Sequence, residues 1–103
     1  WSVPAMSAST RESLPTTCFS VQACSEPSVM SRVLELFVKR GLVPTRIVSD
    51  VSGPADDLLT IDIQMRGLEP ELAGYMARCM RQLAYVDCVL TSERGTVPDA
   101  RTG

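Results

Sequence analysis

Residues 24–41, CSEPSVMSRVLELFVKRG, constrain the fold more tightly than any other stretch of the chain. Pro27 suits the first turn of a helix, where its missing N–H leaves no hydrogen bond unmade. Glu26 adds negative charge where the helix dipole is positive. Met30, Val33, Leu34, Phe37 and Val38 then recur at three- and four-residue steps, which predicts one buried face of a helix over about residues 27–40. Lys39 and Arg40 favour its negative end, and Gly41 can take the left-handed conformation that closes it. Just upstream, residues 17–23 alternate, with Phe19, Val21 and Ala23 on one face and Cys18, Ser20 and Gln22 on the other. That is a half-buried strand. A strand, a short polar loop and a capped helix place backbone N–H groups at a helix start, where an anion or a small carboxylate can sit. Taken alone, the same stretch needs to be no more than a strand entering a helix.

The chain continues in the same two rhythms. Residues 42–51 carry β-branched Val43, Thr45, Ile47, Val48 and Val51 and predict a second strand, with Pro44 near its start fitting an edge position. Residues 52–57, SGPADD, are a turn cluster. Leu59, Ile61, Ile63 and Met65 alternate with Thr60, Asp62 and Gln64, the cleanest strand in the sequence. Pro70 opens a second helix with Glu69 and Glu71 at its start, and Leu72, Tyr75, Met76, Cys79, Met80 and Leu83 form its apolar stripe. Gly74 inside it costs roughly 1 kcal/mol relative to Ala, so this helix depends on packing. Residues 85–91 predict a fourth strand. The Ser-, Thr- and Pro-rich residues 1–16 read as a flexible arm, and 93–103 as a flexible tail.

Strand, helix, strand, strand, helix, strand between residues 17 and 92 predicts an α+β fold. Two helices on one face of a four-stranded antiparallel sheet make the ferredoxin-like βαββαβ arrangement.

A chain of 103 residues holds one domain with a modest core. Ten basic and twelve acidic residues give a net charge of −2, with no basic block, which disfavours nucleic acid and anionic membranes as partners. No run approaches the roughly 20 apolar residues of a membrane span, so the expected location is cytoplasmic. Four cysteines occur without a Cys-x-x-Cys, and histidine is absent, so the usual zinc patterns fail and no metal is expected. Cys18, Cys24, Cys79 and Cys88 read as small buried or half-buried thiols of a reducing compartment.

Activities that this arrangement hosts have to be tested at the site rather than assumed. An RNA-recognition sheet needs aromatics on its open face for base stacking. Here that face offers Cys18, Ser20, Gln22, Thr60, Asp62 and Gln64. Acylphosphatase chemistry needs a loop Arg and an Asn, and the chain has no Asn. General acid–base catalysis lacks a histidine, and Asp56 with Asp57 falls in a turn where solvated charge is expected. Arg78 and Arg81 read as a solvated helix face, and Arg32 with Glu35 as a weak surface pair.

The run from Val21 to Gly41 resembles the first strand and helix of ACT domains, with the nearest likeness in the small regulatory subunit of acetolactate (acetohydroxyacid) synthase. That family reads approximately Asn-x-Pro-Gly-Val-Leu-x-Arg-Val, several helical residues, then Arg-Gly. Ser25, Pro27, Ser28, Val29, Met30, Arg32, Val33, Phe37, Arg40 and Gly41 fill those places. Gln82-Leu83 through Val86-Asp87 resembles the family's closing Leu-x-x-Leu-Val-Asp-Val, so the likeness spans about residues 17–92. The resemblance implies an amino-acid effector site where two domains meet, at Ser25, Ser28 and Val29 in the first loop, completed by Val43 at the second strand of a partner. Ser25 and Val43 stand where the family has Asn, and Ser28 where it has Gly, which implies weak effector binding.

The resemblance also implies a homodimer joined along the strand that carries Arg46 and Val48. As a function it implies a non-catalytic regulatory subunit, without cofactor of its own, for a thiamine-diphosphate-dependent acetolactate synthase large subunit. The alternatives are a free-standing ACT homodimer that senses an amino acid for another pathway, and, from a different class, a small ferredoxin-like enzyme.

Overall fold

A computed structural model describes residues 14–94 of the chain. Six elements follow one another: β1 (Thr16–Cys24), α1 (Pro27–Val38), β2 (Arg46–Ser52), β3 (Leu58–Arg66), α2 (Pro70–Arg81) and β4 (Val86–Arg94). The strands form one antiparallel sheet in the order β2-β3-β1-β4, the expected ferredoxin-like βαββαβ fold.

The central strands β1 and β3 pair along their whole length, from Thr16 opposite Arg66 to Cys24 opposite Leu58. That register sets Phe19, Val21 and Ala23 on the same face as Leu59, Ile61, Ile63 and Met65, and all seven are buried. Onto this face α1 lays Val29, Val33 and Phe37, and α2 lays Ala73, Met76, Ala77 and Met80. Phe19 and Phe37 meet edge to face, with centroids 6.0 Å apart and ring planes at 82°, the geometry that ring quadrupoles favour. Among the described residues no helix lies on the opposite sheet face.

Local signals place the ends of α1 as expected. Glu26 precedes it in an extended conformation and Pro27 opens it. At the far end Gly41 takes φ +66°, its N–H donates to the Val38 carbonyl at 3.0 Å, and the Leu42 N–H reaches the Phe37 carbonyl at 2.9 Å. This pair of bonds around a left-handed residue is a Schellman closure.

Several expectations change. The buried stripe of α1 is Val29, Val33 and Phe37, with Leu34 only half-buried and Val38 exposed at 71%. On α2 Met76 and Met80 are buried as expected and Ala73 and Ala77 join them. Leu72 and Leu83 are half-buried and pack against the core, Cys79 is half-buried, and Tyr75 is exposed under the Arg40 guanidinium, 4.8 Å from its ring centroid. Two alanines at one-turn spacing let α2 lie close to the sheet, and alanine is too small to mark a face by hydropathy alone. The second strand starts at Arg46 instead of Leu42. Pro44 has no N–H to offer, and the ladder opens where the Thr45 N–H and Oγ1 both donate to the Gln64 carbonyl, at 2.8 and 3.0 Å.

The arm and tail also shorten. Thr16 belongs to β1, the Gly67 N–H donates to the Pro15 carbonyl at 3.0 Å, and Glu93 and Arg94 belong to β4. The remainder of both segments, 1–13 and 95–103, lies outside the described residues. Cysteine burial is the last correction. All four thiols are free, Cys18, Cys79 and Cys88 are half-buried, and Cys24 is exposed at the end of β1.

Two substitutions test this packing. Phe37→Ala should cost about 3–5 kcal/mol, since it removes a fully buried ring and its aromatic partner contact; urea unfolding followed by circular dichroism measures it. Gly74→Ala should stabilise the domain by about 0.5–1 kcal/mol. A methyl there meets only Arg78 Nη1, at an ordinary 3.8 Å. A loss of stability in Gly74→Ala would show that close approach at α2, not chain entropy, fixes that glycine.

Candidate functional site

The β1–α1 loop is the first candidate. Ser25 and Ser28 are both exposed at the start of α1. Donors in the loop are largely spent on the protein itself. The Ser25 N–H donates to the Asp57 carbonyl at 3.1 Å, the Glu26 N–H to Cys24 at 2.8 Å, and the Val29 N–H to Glu26 at 3.0 Å. Pro27 has none to give. The Ser28 N–H and the two serine hydroxyls are what this loop offers a carboxylate. Val29 is 1% exposed, so its side chain belongs to the core and only its backbone borders the loop.

Val43 lies at the other end of the domain. It follows α1, whose 12 residues span about 18 Å at 1.5 Å per residue. It is 80% exposed, an unusual state for valine in a folded domain. Within one protomer, therefore, Ser25 and Ser28 come together and Val43 does not join them.

Arg46 and Val48 lie on β2, an outer strand of the sheet. Their partners Gln64 and Asp62 place both side chains on the open face. Alternation along the strand turns the backbone groups of Ile47, Ser49 and Val51 outward, with no strand beyond them among the described residues. Ile47, Ser49 and Val51 stand opposite the core residues Ile63, Ile61 and Leu59, yet Ile47 is 37% and Val51 52% exposed. The two helices stop short of this edge.

The other edge is treated differently. Arg81 Nε and Nη2 both donate to the Val89 carbonyl, at 3.3 and 2.8 Å. Val21 faces Val89, while the β1 groups that bond β4 belong to alternate residues such as Cys24, so Val89 directs its carbonyl outward. Arg81 therefore closes part of the β4 edge, where sequence reading had a solvated arginine. Periodicity gave no sign of it, because an exposed helix position looks alike whether its head group is free or bonded.

Tyr85, expected to open the fourth strand, stands just before β4 instead. It joins α2 to β4 at φ +74°, where a bulky side chain is an outlier. Its carbonyl accepts from the Cys24 N–H at 2.9 Å, so a strained residue borders the β1–α1 loop. A tyrosine followed by valine gives no warning of a left-handed turn. Among the described residues no group of three or more Cys, Asp or Glu could hold a metal ion, and no helix is long and apolar enough to cross a membrane.

With this geometry in hand, three solved structures carry the same fold. The ACT domain from the GTP pyrophosphokinase of Chlorobium tepidum has a TM-score of 0.64 at 10% identity, over 75% of this chain and 96% of that one. The C-terminal domain of the MgtC protein from Mycobacterium tuberculosis has a TM-score of 0.60 at 18% identity, over 85% and 96%. The regulatory subunit of aspartate kinase from Thermus flavus has a TM-score of 0.54 at 11% identity, over 80% of this chain and 52% of that one, so this chain spans about half its length. No curated protein matches the sequence. The family model of the ACT-like domain matches residues 10–96, from before β1 to beyond β4. The chain belongs to the ACT-like domain family.

Proposed function

We propose that this chain is a non-catalytic regulatory module that works as a pair joined along β2. The observation that carries this reading is the β2 edge, with its outward backbone groups and its exposed Ile47 and Val51. Antiparallel pairing of two β2 strands satisfies those groups and continues each sheet into the other. It also covers the apolar side chains that the helices leave bare. In such a pair the start of one β2 lies toward the α1 start of its mate, which brings Val43 of one protomer toward Ser25 and Ser28 of the other. The length of α1, about 18 Å, that lies between them in a single chain is then no obstacle to a shared site.

The ligand at that site is an amino-acid effector, bound weakly. Most loop N–H groups are already taken, Ser28 puts a side chain in the approach path, and Val43 offers no hydrogen bond. The catalytic partner proposed is a thiamine-diphosphate-dependent acetolactate synthase large subunit, on the strength of the Val21–Gly41 resemblance, with all cofactors on that larger chain. A module that senses an amino acid for another pathway is the second reading. The regulatory subunit of aspartate kinase among the structural neighbours favours it.

Light scattering at tens of micromolar should give the mass of a dimer, and Ile47→Lys or Val51→Lys should give a monomer that keeps its secondary structure. A native monomer under those conditions contradicts the β2 pairing. For the effector, valine, leucine or isoleucine at millimolar concentration should leave the native melting temperature unchanged and raise that of the Ser28→Gly, Val43→Asn double variant. Ligand at a hundred times its dissociation constant adds about 2.7 kcal/mol, a readily visible shift. A clear shift in the native protein would turn the serines into ligand partners and favour the sensor.

A further inference from the structure

The face of the sheet that no helix covers has its charges sorted by end. The registers set Arg66 and Arg94 on either side of Thr16, and Arg46 beside Gln64 in the next row. All three arginines are exposed. The carboxylates of the same face stand further along, Asp62 opposite Val48 and Asp50 opposite Thr60. Strands about 4.8 Å apart put the Arg66 and Arg94 backbones about 10 Å from each other. An arginine side chain covers half that span, so the three guanidinium groups can meet over Thr16 and Gln64.

This end opens into a concavity of about 740 Å³ whose lining includes Arg46, Gln64, Ser92, Val48 and Leu90 and one carboxylate, Asp62, with Arg66 and Arg94 one row beyond it at its rim. The volume falls within the roughly 300–1,000 Å³ of small-molecule sites. Val48 and Leu90 stand at its two sides, and Leu90 is 58% exposed. Guanidinium forks match phosphate oxygens two at a time. Three of them present more positive charge than one carboxylate needs. In a chain of net charge −2 such a concentration is local, which distinguishes it from a general polyanion surface.

We propose that this end of the open face binds a small phosphate-bearing molecule. Arg46, Arg66 and Arg94 hold the phosphates, and the organic part lies over Asp62 and Ser20 between Val48 and Leu90, where the carboxylate can accept from a hydroxyl or amine of the ligand. The site is on the opposite side of the sheet from both helices, so it stands or falls separately from the effector loop.

Inorganic pyrophosphate is the probe, added to isotopically labelled protein at about 0.15 M ionic strength, where screening acts beyond about 8 Å. Amide and arginine side-chain NMR signals of residues 16–18, 46–48, 64–66 and 92–94 should shift and saturate. Arg66→Gln and Arg94→Gln should each weaken the affinity about tenfold, with unchanged melting temperature. Arg32→Gln, on exposed α1 surface, should have no effect. Phenyl phosphate should bind more tightly than inorganic phosphate, and Leu90→Ser should abolish that difference. Shifts that never saturate and spread over all arginines would overturn the proposal, as would full affinity in Arg66→Gln. A tighter response to anionic lipid vesicles or to RNA than to pyrophosphate would also overturn it, by assigning the patch to a macromolecular surface.

Discussion

Everything in this domain depends on the pairing of β1 with β3. Nine residues of each strand match without a slip, and one face of that ribbon is apolar apart from the buried Thr17 near one end. A slip of β3 by a single residue would carry Ile61 and Ile63 to the wet face while Phe19 and Val21 stayed on the buried one, so the joint burial of those side chains holds the register. The helices are then placed by what remains to be covered. Phe37 of α1 closes on Phe19 edge to face, and the alanines of α2 settle that helix nearby. Both surfaces of functional interest, the β2 edge and the open face, are defined by what this arrangement leaves uncovered.

The two sheet edges are handled in opposite ways, and this difference is the main argument for how the module works. At β4 an arginine from α2 bonds the outward carbonyl of Val89. At β2 the outward groups of Ile47, Ser49 and Val51 have no strand beside them among the described residues, and the side chains on the helix side are partly bare. An exposed edge with apolar residues invites pairing unless something blocks it. The proposed pairing of like edges would bring Ser25 and Ser28 of one chain toward Val43 of its mate, positions that a single chain keeps apart.

Much of the fold was legible because its signals are local. The alternation of residues 59–65, Pro27 and Pro70 at helix starts, and Gly41 in a left-handed closure each state their structure within a few residues. The element order followed, and with it the βαββαβ fold. What stayed hidden depends on contacts between distant residues. Ala73 and Ala77 carry too little hydropathy to mark a buried face, and Val38 and Tyr75 look buried until the helix rotation is known. The bonds of Arg81 to Val89 and the strained turn at Tyr85 have no sequence signature at all. For the candidate site, the loop position of Ser25 and Ser28 was readable. The consumption of its N–H groups by Asp57 and Cys24 was not, because that depends on how the loop meets the β2–β3 turn.

Pairing along β2 is tested most directly by amide hydrogen exchange at two protein concentrations. In a dimer the outward N–H groups of Ile47, Ser49 and Val51 are hydrogen-bonded to the partner strand. They should exchange slowly at high concentration and lose that protection on dilution, while the β1 and β3 amides stay protected throughout. Rapid exchange of those three amides at every concentration, with the central strands still protected, would contradict the account. So would concentration-dependent protection that appears along β4 instead.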